Sequence, residues 1–177
     1  MVTAAFKICI FGNGGVGKTT LMRRFLTGRV DLDTKMTIGL DIGIKEMKID
    51  GNDITLQIWD FAGEERFRFF LPSYSLGSSG GIFMFDLTRS SSLHDIEEWL
   101  SVYNPDPNDT SKKTPLLMVG GKSDLVSQRG ILSTEGELIS QKYGFKSYFE
   151  CSSVSADNVE EVFESLALFM MKEANII

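Results

Sequence analysis

A glycine-rich segment near the start of the chain has the composition and spacing of a phosphate-binding loop. Residues 12–20 read G-N-G-G-V-G-K-T-T, which fits the pattern G-x-x-x-x-G-K-[ST], and an apolar run at residues 5–10 precedes them. A strand, a glycine loop and a helix in that order let backbone N–H groups turn inward around a phosphate. The alternative is a flexible glycine turn that binds nothing, but the matching positions and their flanks favour the phosphate loop. The residues predicted to bind phosphate are Gly14, Gly15, Val16, Gly17, Lys18, Thr19 and Thr20.

Further residues can complete a magnesium and γ-phosphate site around this loop. Thr19 can offer its hydroxyl to Mg²⁺, and Asp60, at the end of a predicted strand, can hold the ion through water. Gly63 leaves room for its backbone N–H to meet a γ-phosphate, and Thr37 lies in the polar loop 28–39, from which its hydroxyl can join the magnesium shell. Taken singly, such an aspartate more often caps a helix or is solvated, and such a threonine is an ordinary loop residue. Their order after the phosphate loop favours the joint site.

A polar segment after a predicted buried strand points to the base of a nucleotide. Residues 121–124 read G-K-S-D. The carboxylate of Asp124 can accept hydrogen bonds from both the ring N–H and the amino group of guanine, a donor pair that adenine lacks. Alone, Asp124 would more often be a cap or a solvated charge. Following a phosphate loop, it predicts a bound guanine nucleotide, GTP or GDP.

The composition fits one domain and argues against several classes of protein. The chain has 177 residues, of which 42% are apolar, so residues 1–177 can bury an ordinary core as a single domain. A formal net charge of −6 without a basic run argues against electrostatic binding of nucleic acid or anionic membrane. No apolar run approaches the ~20 residues that span a bilayer. Cys9 and Cys151 lie in apolar stretches without a preceding signal peptide, so a reducing cytoplasm is the expected compartment.

Strand-like and helical patterns alternate along the chain. The strands are predicted at residues 5–10, 40–49, 54–60, 80–86, 115–120 and 146–151, and the helices at 20–27, 65–76, 93–103, 133–143 and 157–171. The turn D-G-N at residues 50–52 makes the second and third strands a hairpin, and residues 104–114 form the longest loop. Right-handed crossovers arrange this series as an α/β fold with a mainly parallel six-stranded sheet, one antiparallel edge pair and helices on both faces. Ligands of such folds bind at the carboxyl ends of the strands.

On these motifs the chain resembles the Ras-superfamily small GTPases, closest to the Rab-like group and to related archaeal proteins, over residues 6–171. The resemblance implies a P-loop GTPase fold in which Thr37 belongs to switch I and residues 60–63 begin switch II. It implies that Lys122 lies along the guanine face and that Ser152 and Ser153 form the last base-contacting loop, the Ser153 backbone N–H donating to the guanine carbonyl. The implied catalytic residues are Glu64, Lys18, Thr37 and Gly63, and the implied Mg²⁺ ligands are Thr19, Thr37 and Asp60.

Four departures from the family pattern bear on the chemistry. Glu64 stands where the family has a glutamine that orients the attacking water, so an acceptor-only carboxylate replaces a group that also donates. The sequence is consistent with either faster or slower hydrolysis as a result of this replacement. Gly121 replaces an asparagine or threonine that helps hold the base and brace the phosphate loop, which predicts weaker nucleotide affinity. Val30 replaces an aromatic residue that stacks on the guanine, and Ser153-Val154 replaces Ala-Lys.

These expectations describe a guanine-nucleotide switch with slow intrinsic hydrolysis of GTP, because no arginine occupies the place in switch I from which some relatives supply one. A non-hydrolysing GTP-binding module is the alternative that Glu64 and Gly121 favour. A small P-loop kinase is a third possibility, but it would leave Asp124 unexplained and would need an arginine-rich lid that the sequence lacks.

The switch segments are the expected surface for effector, exchange and GTPase-activating proteins. Residues 66–70 read R-F-R-F-F, which suits a partner surface formed in one nucleotide state, and burial of the phenylalanines in the core is an equal alternative. No cysteine follows Cys151, and Val2 does not match a myristoylation signal, so no direct lipid anchor is expected.

Overall fold

A six-stranded sheet lies at the centre of the structure, a computed structural model that describes residues 1–31, 36–103, 106 and 114–177. The strands run in the order β2-β3-β1-β4-β5-β6; β2 pairs antiparallel with β3, and the other pairs are parallel. This confirms the predicted fold class and its antiparallel edge pair. The strands are β1 (Thr3–Phe11), β2 (Leu40–Ile49), β3 (Asn52–Phe61), β4 (Gly80–Asp86), β5 (Leu116–Gly121) and β6 (Ser147–Glu150).

Burial along the strands follows from their places in the sheet. Strand β4 lies at the centre and is buried at every residue, which is why its sequence is almost continuously apolar. Strand β2 lies at the edge, and from Ile42 onward its exposed positions alternate with partly or fully buried ones. The parallel strands therefore end together at one edge of a buried sheet, where the loops that follow them meet.

Helices cover both faces of the sheet. On one face α1 and α6 pack together, with the rings of Phe25 and Phe163 stacked at 4.0 Å between centroids. On the other face α4 buries Trp99 and precedes Tyr103, and Phe11 of β1 stacks on Tyr103 at 5.0 Å. The helices are α1 (Lys18–Thr27), α2 (Glu65–Arg68), α3 (Leu71–Ser75), α4 (Ile96–Val102), α5 (Ser133–Lys142) and α6 (Val159–Glu173).

Two of the predicted helices differ from the observed ones. The helix predicted at residues 65–76 is divided into α2 and α3, because Pro72 lacks an N–H and its ring would clash with the carbonyl of Arg68, four residues earlier. Pro72 instead lies in the first turn of α3, where a missing N–H costs nothing. The helix predicted at 93–103 begins as a 3₁₀ turn, Ser90–Leu93, and becomes α-helical only at Ile96. The predicted loops 28–39 and 104–114 lie partly outside the described residues.

The two cysteines are structural. Both Cys9 and Cys151 are fully buried, and burial raises the pKa of Cys9 to about 11 and that of Cys151 to about 12. Thiols in this state are poor nucleophiles. No helix within the described ranges is long and apolar enough to cross a membrane.

Candidate functional site

The loop between β1 and α1 surrounds a cavity of about 390 Å³. Helix α1 begins at Lys18 behind Gly17, whose φ of 105° is in the left-handed region that favours glycine. The free N–H groups of the first helical turn therefore face the loop, as anion sites at helix N-termini require. The cavity is lined by Gly14, Gly15, Gly17, Lys18, Thr19, Thr20, Met36, Thr37, Phe61, Gly63 and Glu64.

Lys18 folds back across this loop. Its Nζ donates to the backbone carbonyls of Gly12 at 2.8 Å and Asn13 at 2.9 Å, and the residue is only 5% exposed. Burial lowers the pKa of Lys18 to about 8, and the charge of Asp60 partly opposes that effect. A buried ammonium beside inward-facing N–H groups is stabilised by an anion, so the geometry suits a phosphate.

Three side-chain oxygens that the sequence assigned to Mg²⁺ meet beside this cavity. The hydroxyls of Thr19 and Thr37 lie 2.6 Å apart, and Thr19 also donates to Oδ2 of Asp60. Asp60 is fully buried, and its Oδ1 has no hydrogen-bond partner among the described residues. Burial raises the pKa of Asp60 to about 6, against the pull of Thr19 and Lys18. A buried carboxylate with one unpaired oxygen beside two hydroxyls is a set of hard oxygen donors that fits Mg²⁺.

Gly63 brings the end of β3 into direct contact with the phosphate loop. A Cβ on Gly63 would lie 2.3 Å from the backbone N of Gly14, so no larger residue fits without moving the loop. Glu64 follows and lines the same cavity. Its carboxylate forms a two-point ion pair with Arg66, whose Nε lies 2.8 Å from Oε2 and whose second contact is at 3.3 Å. The pairing offsets the negative charge that Glu64 brings to the phosphate site.

A second cavity of about 390 Å³ adjoins the first and shares Gly15, Gly17 and Thr20 with it. One ligand can therefore reach from the phosphate loop into a less polar compartment, as a nucleotide does. Val30, the residue that replaces the stacking aromatic, is not part of this lining. The cavity is lined by Gly15, Val16, Gly17, Thr20, Met84, Lys122, Asp124, Leu125, Ser153 and Val154.

The predicted base-reading residues divide into two groups. Asp124 and Ser153 line the second cavity, whereas Ser152 lies behind Asp124 and is fully buried. The hydroxyl of Ser152 donates to Oδ1 of Asp124 at 2.7 Å and accepts from the backbone N–H groups of Val154 and Ser155. The sequence placed both serines at the base, but Ser152 positions the carboxylate instead of lining the cavity.

Lys122, which follows β5, binds both the phosphate loop and the end of β4. Its Nζ donates to the Gly15 carbonyl at 3.0 Å and to Oδ2 of Asp86, the last residue of β4, at 2.7 Å. Burial raises the pKa of Asp86, but hydrogen bonds from Lys122 and Thr88 outweigh burial and hold that pKa below its ordinary value. The sequence analysis missed Asp86, although an aspartate that ends a buried apolar strand was a signal for it.

Gly121 lies under the side chain of Met84. A Cβ at position 121 would lie 2.5 Å from Cε of Met84 and 3.1 Å from the carbonyl of Val16. The space that a larger residue would take is therefore filled by a methionine from the neighbouring strand. Gly121 thus depends on Met84 for its packing against the phosphate loop.

Arg89 also reaches the phosphate loop, and the sequence analysis did not single it out. Its guanidinium donates to the carbonyl of Gly14 at 2.6 Å. Arg89 follows β4 in a serine-rich turn with no motif around it, so only the folded structure brings it to the site.

A network of hydrogen bonds links the loop between β1 and α1 to helix α2. The side chain of Asn13 accepts from the indole N–H of Trp99 at 2.7 Å and donates to Asp95 at 3.2 Å. Arg68 of α2 donates to the same Asp95 oxygen at 3.1 Å and lies over the Trp99 ring at 4.5 Å. A movement of α2 would therefore change the hydrogen bonds that Asp95 and Trp99 make with Asn13.

The aromatic segment that follows Glu64 faces outward. Phe69 is 76% exposed and Phe70 is 42% exposed, so the two are surface residues and not core. Apolar side chains of α3 and of residues 36–44 are exposed as well, and exposed apolar side chains suit contact with a partner. They are Met36, Ile38, Ile42, Ile44 and Tyr74.

Comparison with known proteins agrees with this geometry. A family model described as the Ras family matches residues 7–172. The Ras-related protein RGP2 of Oryza sativa subsp. japonica is 36% identical over 161 residues, which is 91% of this chain and 72% of that protein. The Ras-related protein RAB1BV of Beta vulgaris is 38% identical over 162 residues, 91% of this chain and 74% of the relative. The human Ras-related protein Rab-30 is 38% identical over 169 residues, 96% of this chain and 81% of the relative. These plant and mammalian relatives support the Rab-like part of the resemblance and not its archaeal part.

Proposed function

We propose that this chain, which belongs to the Ras family, binds GTP and GDP with Mg²⁺, hydrolyses GTP slowly to GDP and phosphate, and works as a molecular switch. The observation that carries the proposal is the continuity of two cavities. One contains the glycine loop with Lys18 and the oxygens of Thr19, Thr37 and Asp60, and the other contains Asp124. A guanine nucleotide is the ligand that needs both.

The phosphates are bound by the loop and by Lys18. In the ligand-free geometry the Lys18 ammonium is satisfied by two backbone carbonyls of its own loop. Phosphate oxygens at the cavity would draw that ammonium toward them, because an ion pair in a desolvated site is stronger than a neutral contact. Thr19, Thr37 and Asp60 would hold Mg²⁺, which neutralises charge on the β- and γ-phosphates when it is bound.

The base is read at the second cavity. Asp124 accepts from the guanine ring N–H and amino group, the stem of Lys122 lies along the base, and the Ser153 backbone N–H donates to the guanine carbonyl. The hydrogen bond from Ser152 fixes the Asp124 carboxylate. An adenine bound in this place would cover the acceptors of Asp124 without pairing them, at a cost of about 1–3 kcal/mol.

Hydrolysis transfers the γ-phosphoryl group to water. The water oxygen forms a bond to the γ-phosphorus, the bond from that phosphorus to the bridging oxygen breaks, and its electron pair remains on the β-phosphate of GDP. One proton of the water passes to an oxygen of the departing phosphate, which leaves as dihydrogen phosphate. Glu64 accepts a hydrogen bond from the water and so orients it, and the Gly63 backbone N–H donates to a γ-phosphate oxygen. The intrinsic rate is slow because switch I has no arginine at the place from which some relatives supply one.

A second candidate, a GTP-binding module that does not hydrolyse GTP, is favoured by one contact. The ion pair between Arg66 and Glu64 occupies the carboxylate that would otherwise accept from water. Single-turnover hydrolysis of bound GTP separates the two candidates, because the module would retain GTP without releasing phosphate.

The switch surface supports partners of the regulator and effector kind. The hydroxyl of Thr37 contacts that of Thr19, and Phe69 and Phe70 are exposed in the segment that follows Glu64. A γ-phosphate would give Thr37 and Gly63 a common point of attachment, so its loss on hydrolysis would release both segments. Effector, exchange and GTPase-activating proteins would distinguish the two nucleotide states by the positions of these segments.

Two measurements test this proposal. The first identifies the nucleotide bound to the purified protein, and the second measures the nucleotide preference of a variant at Asp124. We expect extracted GDP or GTP, with tight binding that requires Mg²⁺. Asp124→Asn should weaken GDP binding and favour xanthosine diphosphate, whose extra carbonyl matches the amide. Ser90→Ala, on the exposed turn after β4, is the matched control and should keep the preference for GDP. Equal affinity of the wild-type protein for ADP and GDP would refute the proposal.

A further inference from the structure

Arg89 lies beside the phosphate cavity, where its side chain contacts the loop between β1 and α1. Its guanidinium donates to the Gly14 carbonyl at 2.6 Å, and NH1 lies 4.0 Å from where a Cβ on Gly15 would stand. Both glycines line the phosphate cavity. The hydrogen bond to Gly14 leaves most of the N–H donors of the guanidinium unused, and no carboxylate pairs with it in the described part of the chain.

The backbone that carries Arg89 is fixed from both sides. The Arg89 N–H donates to the Asp86 carbonyl at 3.0 Å, and the Arg89 carbonyl accepts from the buried hydroxyl of Ser92 at 2.7 Å and from the Ser92 N–H. Thr88 is bound to the Asp86 carboxylate through both its N–H and its hydroxyl. The backbone of Arg89 is therefore already fixed before an anion binds. Only the side chain loses conformational freedom when the guanidinium binds the anion.

The charge of Arg89 acts on the same place as Lys18. Lys18 donates to the carbonyls of Gly12 and Asn13, and Arg89 donates to that of the adjoining Gly14. Two cations bound to neighbouring carbonyls of one loop repel each other until an anion enters the cavity that this loop lines. The binding of phosphates relieves that repulsion, and the added charge that develops on the phosphates during hydrolysis relieves it further.

We propose that Arg89 supplies, from within this chain, the arginine that stabilises the transition state of GTP hydrolysis. In this step the Arg89 guanidinium exchanges the Gly14 carbonyl for oxygens of the β- and γ-phosphates. The electron pair of the breaking bond collects on the β-phosphate, and a guanidinium beside that oxygen stabilises it. The inference rests on the proposed GTPase activity and names a catalytic residue for it on the loop after β4, outside both switch segments.

A purely structural role for Arg89 makes a different prediction. If the guanidinium only braces the Gly14 carbonyl, Arg89→Gln should replace it, because the glutamine amide keeps an N–H donor without the charge. If the charge stabilises the transition state, Arg89→Gln should be as slow as Arg89→Ala. Arg89→Lys keeps the charge as a point donor and should recover part of the rate.

The test measures single-turnover hydrolysis of bound GTP·Mg²⁺ in the full chain, together with GDP affinity and the binding of GDP with aluminium fluoride, which mimics the transferring phosphoryl group. We expect Arg89→Ala and Arg89→Gln to hydrolyse GTP on the order of 10²- to 10³-fold more slowly than wild type, the usual loss on removal of one preorganised transition-state donor. Their GDP affinity should stay within about 2-fold, while GDP–aluminium fluoride binding is lost. Arg24→Ala removes an equal charge near the far end of α1 and should match wild type in all three measurements.

Each remaining outcome counts against a definite claim. Wild-type protein that binds no guanine nucleotide would refute the proposed function itself. Wild-type protein that binds GTP and hydrolyses it as fast as Arg89→Ala, or that binds GTP without hydrolysing it, would overturn the role of Arg89 and leave nucleotide binding intact. Equal loss of GDP affinity and rate in Arg89→Ala, restored in Arg89→Gln, would assign Arg89 to bracing the loop.

Discussion

The buried hydroxyl of Ser152 should matter more to nucleotide binding than a residue outside the cavity lining would suggest. Ser152→Ala removes the hydrogen bond to Oδ1 of Asp124 and the acceptor of two backbone N–H groups. Val154 and Ser155, which carry those N–H groups, are exposed, so water can replace the lost acceptor there. The Asp124 carboxylate is what loses its fixed orientation.

The size of the effect follows from that single contact. A hydrogen bond to a charged group contributes about 1.5–3 kcal/mol. If the whole loss falls on the orientation of Asp124, GDP affinity decreases about 10- to 150-fold. Any part that falls on folding lowers the free energy of unfolding of the nucleotide-free protein. The two measured losses should therefore add up to about 1.5–3 kcal/mol.

Titration calorimetry with GDP and Mg²⁺ gives the first loss, and urea unfolding of nucleotide-free protein gives the second. Ser153→Ala is the matched control, because its proposed contact with guanine uses the backbone N–H that the substitution keeps. We expect its GDP affinity to stay within about 2-fold of wild type. The reasoning fails if Ser152→Ala and Ser153→Ala give the same affinity and the same unfolding free energy.

Three further predictions concern two charged pairs, Glu64 with Arg66 and Glu150 with Arg129. Glu64→Ala should slow single-turnover hydrolysis with little change in GTP affinity while Glu64→Gln stays active, and hydrolysis by Glu64→Ala at the wild-type rate would make the carboxylate a bystander. Arg66→Ala should lower GTP affinity relative to GDP by no more than about 5-fold, since the pair is largely exposed; competition binding measures this. Burial raises the pKa of Glu150, but hydrogen bonds from Arg129 outweigh it and hold that pKa below its ordinary value of 4.5. The unfolded state therefore takes up a proton first as the pH falls, so wild type should be more stable than Glu150→Gln at pH 7 and lose that advantage progressively as the pH falls below 4.5, as urea unfolding curves across that range would measure.

The sequence predicted most of the residues that line the first cavity, because that information is local. The glycine loop, Lys18 and Thr19 are consecutive in the chain, and the strand and helix that flank them are the adjoining segments. The order of the motifs along the chain predicted that Thr19, Thr37 and Asp60 lie together. In the structure Thr19 contacts both of the other side chains. The fold followed in the same way, since buried apolar runs marked the strands and D-G-N marked the hairpin.

The rest depends on contacts between segments far apart in the chain, which spacing does not encode. Arg89 reaches Gly14 across 75 positions, and Lys122 reaches Gly15 across 107. The boundary between α2 and α3 was missed for a different reason, because the apolar and aromatic residues around Pro72 suit a continuous helix although proline cannot continue one. No pattern near Ser152 distinguishes a serine that positions a carboxylate from one that meets a ligand.

The departures from the family pattern also have a common physical character. Gly121 lacks a side chain, and Met84 fills the space that one would occupy. Glu64 adds a negative charge at the phosphate cavity, and Arg66 pairs with it. In both cases the residue that offsets the departure is another side chain of this chain, so the effect of either position on affinity or rate belongs to the pair. Substituting Gly121 by asparagine without changing Met84 would therefore introduce a steric conflict instead of restoring the family's contact, and Glu64 exchanged alone would leave Arg66 as an uncompensated cation beside the phosphates.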